Sequence, residues 1–195
     1  MLELLNECMP GERSFRHTGI LDRTALTVTY RVNEAEQEAR VARGVESVED
    51  EFLLSALMTM PTDSLGAVDP RFARVLHTAR AACVATVLDD PEGGTWAQRR
   101  LGVPLEVAEI EIATDNWARG ITAAHKWVGY APRWVRLQGA VSAIVLTEAA
   151  HYGVGVVTAD GDRLVEPAAY RPERWSSARW RLAELIYGQF RTLST

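Results

Sequence analysis

From residue 105 onward, the chain alternates between segments with the two-residue periodicity of strands and segments with the 3.6-residue periodicity of helices. Capping residues, glycines and prolines separate these segments. The pattern predicts strands at 105–113, 141–146, 153–158 and 163–166, a helix from Thr114 or Asp115 to about Val128, a short helix at 147–152, and a last helix through Phe190. We therefore expect an α/β fold with a central mixed sheet flanked by helices, with its alternating core in residues 105–195.

The first 104 residues are predicted to be mostly helical, with one strand at 25–32, and the segment 84–88 could end the third helix or form a short strand. Asn33, Ser47 and Pro70 mark the starts of three helices, and the second of these stops at Pro61. The chain has 195 residues, of which 47% are apolar and 24% charged, as in ordinary globular proteins. Because no low-complexity tract or linker divides it, we expect a single domain over residues 1–195.

Charge and composition narrow the function classes. The net charge is -5, which argues against a protein that coats nucleic acid by bulk electrostatics but leaves room for a local basic groove. No apolar run reaches the roughly 18 residues of a membrane span, and the first residues lack the pattern of a signal peptide, so we expect a cytoplasmic protein. Cys8 and Cys83 have no metal-ligand spacing and are expected to be buried or free thiols.

Two carboxylates stand next to each other on the strand predicted at 105–113. Strand side chains alternate between faces, so Glu109 and Glu111 share a face while Ile110 and Ile112 point to the other. Burying two like charges side by side destabilises a fold unless a cation, a basic partner or protonation offsets their repulsion. Three alternatives remain open: a divalent metal site, a binding role without metal, and an edge or partly exposed strand whose glutamates face solvent or pair with Arg99, Arg100 or Arg119.

The stretch 108–167, about 60 residues, resembles the core of the PD-(D/E)XK nuclease superfamily, also called restriction-endonuclease-like. Residues 108–112 resemble its acidic motif strand, 116–130 the helix that follows, and 153–157 with Asp160, Gly161 and Pro167 the later strand pair. Glu111 stands where the family usually has a lysine, a departure known in some restriction enzymes.

The resemblance implies a nuclease that cleaves phosphodiester bonds of DNA with Mg²⁺ or Mn²⁺. Asp90 and Glu109 would hold the metal, and Glu111 would join them or orient the attacking water. Lys126, the only lysine of the chain, would stabilise the phosphate in the transition state from the neighbouring helix. A metal ion suits this chemistry because it activates water and neutralises developing charge.

Two other groups of residues could contact a partner. An aromatic and basic cluster follows the motif helix and could stack on bases and hold phosphates, or close the core: Trp127, Tyr130, Arg133, Trp134 and Arg136. The C-terminal helix region offers the same choice between packing and a protein-partner site with Arg171, Arg174, Trp175, Arg179 and Arg181.

Two functional hypotheses follow from the sequence. The first is the metal-dependent nuclease. The second is a non-catalytic α/β module that binds a protein, or a structural subunit of a larger assembly of a phage or mobile element. A cation site on Glu109 and Glu111 separates the two, because only the nuclease needs it.

Overall fold

The computed structural model describes residues 2–3, 14–21, 23–90, 93–170 and 175–193. These residues form ten strands and six α-helices, which confirms the α/β class. The expectations for Cys8, Arg171 and Arg174 lie outside the described residues. None of the described helices is long and apolar enough to cross a membrane.

The strands are β1 (Leu2–Glu3), β2 (Ser14–Leu21), β3 (Thr24–Val32), β4 (Gly66–Ala67), β5 (Ala85–Asp89), β6 (Thr95–Arg99), β7 (Leu105–Thr114), β8 (Arg133–Leu137), β9 (Gly155–Thr158) and β10 (Arg163–Val165). The helices are α1 (Glu34–Arg43), α2 (Glu51–Thr59), α3 (Ala73–Ala81), α4 (Trp117–His125), α5 (Ala143–Tyr152) and α6 (Ser177–Leu193). A 3₁₀ turn at Pro70–Phe72 leads into α3.

The chain divides into two compact units, each built from two separate stretches of sequence. The first unit comprises residues 1–32 and 106–173, and the second comprises 33–105 and 174–195. The expectation of a single domain over residues 1–195 stays a prediction.

The first unit is centred on a mixed sheet with strand order β1-β2-β3-β7-β8-β9-β10. The β7/β8 and β8/β9 pairs are parallel, and the β1/β2, β2/β3 and β9/β10 pairs are antiparallel. Helix α4 connects β7 to β8, and α5 connects β8 to β9. The two helices touch each other, since Trp117 Nε1 donates to Glu148 and the His125 ring meets Tyr152 edge-on, so both lie on the same side of the sheet.

Close packing of α4 on the sheet depends on Gly120. A Cβ at this position would lie 2.7 Å from Val135 Cγ1 and 2.8 Å from Thr114 Cγ2. The missing side chain therefore lets α4 approach β7 and β8 directly. The side of the sheet under α4 carries Ile110, Ile112 and Val135, all of them buried.

The second unit packs four helices, α1, α2, α3 and α6, with a small antiparallel sheet of order β4-β6-β5. Its core includes Leu54, Leu57, Ala79, Ala97 and Trp180. A buried ion pair accompanies this core. Both terminal nitrogens of Arg40 donate to Glu184, at 2.8 and 2.6 Å, and both side chains are fully buried. Trp180 Nε1 and the backbone N–H of Val48 donate to the same carboxylate, so the buried charge is well satisfied.

The N-terminal portion contains more strands than expected. We predicted one strand within residues 1–104, and the structure confirms it as β3. A second strand, β5, lies where the sequence allowed either a helix end or a short strand at 84–88, and β2 and β6 are additional among the longer strands. The β5 and β6 strands are five residues each and are separated by a Gly-containing turn, and short strands of this kind give weak periodicity.

The strand predicted at 141–146 is wrong. Ser142 caps a helix there, with its side chain accepting from Val145 N, and α5 runs from Ala143 to Tyr152. The strand lies earlier, at Arg133–Leu137. A short apolar run does not distinguish a strand from a packed helix by periodicity alone, and here the serine cap decided the outcome.

Candidate functional site

Strand β7 presents Glu109 and Glu111 on the side of the sheet opposite to α4. Ile110 and Ile112 are buried on the helix-covered side, at 0% and 4% exposure. Because side chains alternate along a strand, the two glutamates point the other way, as the sequence predicted. In the described part of the first unit, both connecting helices lie on the isoleucine side. We call the opposite side the carboxylate face.

Glu111 is held by two arginines. Arg136 Nε and Nη2 donate to Glu111 Oε1 and Oε2, both at 2.8 Å, in a two-pronged arrangement. Arg16 Nη2 from β2 adds a third bond at 3.0 Å. The Glu111 and Arg136 side chains are only 15% and 20% exposed, so solvent screens this pair weakly. The hydrogen bonds to Glu111 raise the pKa of Arg136 and outweigh the opposing effect of burial.

Arg136 is also tied to the main chain beyond β9. Its Nη1 donates to the carbonyl oxygen of Thr158 at 3.0 Å. The guanidinium therefore uses all three nitrogens, two on Glu111 and one on the end of β9. A group bonded in this way is fixed in position, and it connects three neighbouring strands.

Glu109 pairs with Arg163 of β10. Arg163 Nη2 lies 3.2 and 3.3 Å from the two Glu109 oxygens. The same guanidinium stacks over the Trp134 ring, 4.3 Å from its centroid, and Trp134 is 2% exposed. A Cβ at Gly155, opposite Trp134 on β9, would overlap the indole ring. Arg163 thus covers one side of a packed tryptophan while it neutralises Glu109.

Lys126 lies on the other side of the sheet. It forms the C-terminal end of α4, and its Nζ donates to Thr24 Oγ1 at 3.2 Å. Thr24 and Thr29 are five residues apart on β3 and so point to opposite faces. Thr29 pairs with Arg16, whose side chain reaches Glu111 on the carboxylate face. Lys126 is therefore separated from Glu109 and Glu111 by the sheet.

Asp90, the third expected metal ligand, belongs to the second unit. It sits in the turn between β5 and β6, where its N–H donates to the Gly94 carbonyl and its carbonyl accepts from Gly93 N. The chain therefore places the three acidic residues of the expected metal site in different units.

The aromatic and basic cluster is mostly core. Trp127, Arg133 and Trp134 are 6%, 9% and 2% exposed, so they offer no open ring for stacking on a base. Tyr130 is half-buried and packs edge-on against Trp127. Arg133 Nη2 donates to the Tyr152 carbonyl at 3.4 Å, and burial lowers the pKa of Arg133. These residues are also split between the two faces, since Arg136 faces Glu111.

The described part of the C-terminal helix region mixes packing and surface roles. Trp180 is fully buried in the core of the second unit. Trp175 is 39% exposed, with the Arg179 guanidinium 4.4 Å from its ring centroid. Arg181 Nε donates to the Glu49 carbonyl at 3.0 Å.

The two glutamates expected to hold a divalent ion are engaged by arginines in this arrangement, and the metal site stays a prediction. Both oxygens of Glu111 are engaged by guanidinium groups, and Glu109 faces a third guanidinium. Hard cations need carboxylate oxygens that are free to coordinate, with several water ligands beside them. Elsewhere in the described ranges, no three acidic, histidine or cysteine side chains group together as a metal cage.

Two residues of the carboxylate face were missed from sequence. Arg16 lies on β2, a strand that was not predicted, and Arg163 lies on β10 without any local signal that connects it to Glu109. Of the arginines considered as partners, Arg119 pairs instead with Asp115, which lies just before α4, at 2.7 Å. A correct placement of β8 would have revealed Arg136, because Trp134 is paired with Glu111 and Arg136 with Ala113.

Comparisons of the chain with protein-family models, curated proteins and solved structures give no match.

Proposed function

We propose that this chain is a non-catalytic α/β protein that acts by binding another protein, with Glu109 and Glu111 serving as structural partners of arginines. The observation that carries the proposal is the contact set of Glu111, which accepts three bonds from Arg136 and Arg16. A metal ion would have to replace these charge-assisted bonds, each worth roughly 1.5–3 kcal/mol. The two carboxylates are explained without an ion.

The position of Lys126 supports the same conclusion. A nuclease of the expected kind needs a cation next to the scissile phosphate and close to the metal. Lys126 hydrogen-bonds Thr24 on the helix-covered side, while the glutamates lie on the carboxylate face. A phosphate beside Glu109 and Glu111 would therefore lie across the sheet from Lys126. The nuclease function stays a prediction from sequence.

The carboxylate face has the chemistry of a surface for an acidic protein segment. Three arginines, Arg16, Arg136 and Arg163, face Glu109 and Glu111 there, and Arg163 also lies 3.9 Å from Glu166, so the charges of these ion pairs balance. Arg163 is 51% exposed, and Thr18 is exposed on the same side of β2 as Arg16. Fixed guanidinium groups with exposed edges favour a partner that presents carboxylates.

DNA cleavage tests the catalytic part of the proposal. Supercoiled plasmid is incubated with the protein and Mg²⁺ or Mn²⁺, beside the Glu109→Gln, Glu111→Gln double variant. We expect no nicking or linearisation above the protein-free blank for either protein. Cleavage by the unaltered chain that disappears in the double variant would restore the nuclease hypothesis.

A matched pair of threonine variants tests the binding part. Thr18→Glu adds a negative charge to the carboxylate face, and Thr122→Glu makes the same change at an exposed position of α4 on the other side. We expect proteins retained from cell extract by the unaltered chain to be retained by Thr122→Glu and lost from Thr18→Glu, because the new carboxylate repels an acidic segment. Equal retention by all three proteins would contradict a role for this face.

A further inference from the structure

The small sheet of the second unit carries an apolar row on its solvent side. Ala67, Trp96 and Leu88 lie directly opposite one another across β4, β6 and β5. Trp96 is 42% exposed and Leu88 is 51% exposed, and Ala67 is exposed as well. The next row, Gly66, Ala97 and Val87, points to the core. An exposed tryptophan flanked by apolar side chains is typical of the centre of a protein interface.

The two ends of this solvent side carry opposite charges. One end is the turn between β5 and β6. A Cβ at Gly94 would lie 3.6 Å from Trp96 Nε1 and 3.8 Å from Asp90 Oδ2, so the Asp90 carboxylate and the Trp96 indole both lie next to Gly94. At the other end, Arg100 Nε donates to Thr86 Oγ1 at 2.9 Å. Thr86 and Leu88 are two residues apart on β5, which places Arg100 on the same side of the sheet as Trp96. The surface is therefore acidic at one end, apolar in the middle and basic at the other end.

We propose that this surface, formed by Ala67, Leu88, Trp96, Asp90 and Arg100, binds a second copy of the same chain. The charge distribution makes it complementary to itself. A two-fold axis that lies in the interface, parallel to the apolar row, reverses the strand direction and brings Asp90 of one copy towards Arg100 of the other. The reciprocal contact forms at the opposite end, so each dimer contains the Asp90 to Arg100 contact twice.

The size of the surface indicates a weak dimer. One face of a three-stranded sheet with strands of two, five and five residues falls below the area of stable interfaces, which bury about 1,200 Å² or more in total. The association is therefore expected to depend on protein concentration and to weaken with salt, because Arg100 is exposed and Asp90 is only half-buried.

Sedimentation velocity over a wide range of concentration tests this proposal. The chain has a mass of 21.6 kDa, and we expect the weight-average mass to rise towards twice that value as concentration increases. Trp96→Ser is expected to abolish the rise. Ile144→Ser, at a 71% exposed apolar position of α5, is the matched control and is expected to leave it unchanged.

Charge reversal identifies the orientation of the two copies. Asp90→Arg and Arg100→Asp are each expected to weaken association by about tenfold, since each creates two repulsive contacts per dimer, and the double variant is expected to restore it. Restored association in the double variant would show that Asp90→Arg acts by losing the contact to Arg100 and not by disturbing its own turn. A misfolded turn at residue 90 would not be repaired by a change at residue 100. A monomer at all concentrations, an equal loss in Ile144→Ser, or a double variant no better than the single ones would overturn the proposal.

Discussion

At the scale of single residues, the surroundings of Glu111 determine what this carboxylate is able to do. A glutamate in a strand can coordinate a metal, accept a proton or hold a neighbouring cation. Arg136 and Arg16 donate three hydrogen bonds to its two oxygens, so the third role is the one the contacts support. The sequence predicted the face that Glu111 occupies, because alternation is a local property. It did not predict the partners, because they come from β2 and β8, 95 and 25 residues away.

Replacement of Glu111 tests the strength of this contact set. Glu111→Gln keeps the shape but removes the charge that Arg136 and Arg16 share, and we expect the free energy of unfolding to fall by about 1–3 kcal/mol. Glu106→Gln is the control, since Glu106 is 75% exposed and lies 3.9 Å from Arg31, and we expect a change within about 0.5 kcal/mol. Urea unfolding measures both. Equal effects at the two positions would contradict the structural role of Glu111.

Tyr30 makes the stability of the fold sensitive to alkaline pH. Burial raises the pKa of Tyr30 from 10.0 to about 12, because the neutral phenol is favoured in the core. A folded-state pKa above the unfolded one stabilises the fold below pH 10, and this contribution is lost as the pH rises from 10 towards 12. We expect Tyr30→Phe, which has no proton to lose, to show a smaller decrease in unfolding free energy over this interval. Parallel curves for the two proteins would contradict the assignment.

At the scale of elements, β8 is where sequence and structure differ most. The segment 133–137 follows a turn and contains two arginines and a tryptophan, a composition that resembles a surface cluster. In the structure it is a central strand, parallel to both neighbours, with Arg133, Trp134 and Val135 all buried. Its arginines are tolerated because one reaches Glu111 and the other reaches the carbonyl end of α5. These contacts, which offset the cost of burying the arginines, join residues far apart in sequence, so they cannot be predicted from local periodicity.

Packing between β8 and β9 depends on the lack of a side chain at Gly155. A Cβ there would overlap the Trp134 indole, which is itself covered by Arg163 and has little room to move. We expect Gly155→Ala to lower the free energy of unfolding by about 1–3 kcal/mol or more. Gly139→Ala is the matched control, because its Cβ would meet nothing within 4 Å, and it is expected to be neutral or slightly stabilising. Thermal unfolding distinguishes the two, and a neutral Gly155→Ala would contradict the described contact.

At the scale of the whole molecule, the class of fold was predictable and the functional site was not. The helix cap at Asn33, the stop before Pro61 and the alternation at β7 are all local signals, and they gave elements in nearly the right places. The cap of α4 was expected at Thr114 or Asp115 and lies at Asn116. The expected catalytic site, with Asp90, Glu109 and Glu111 at a metal and Lys126 at the phosphate, came from the resemblance to a nuclease family. The fold assigns Asp90 to the second unit, and it places Lys126 across the sheet from the glutamates. Strand order and the side of a sheet on which a helix packs are not encoded by the spacing of residues along the chain.

We propose that arginines neutralise Glu109 and Glu111 and that these carboxylates do not bind a metal ion. The decisive experiment is calorimetric titration of the folded protein with Mn²⁺, beside the Glu109→Gln, Glu111→Gln double variant. We expect both proteins to give only the heat of dilution. Saturable binding of Mn²⁺ by the unaltered chain that is lost in the double variant would contradict the claim and identify β7 as a cation site.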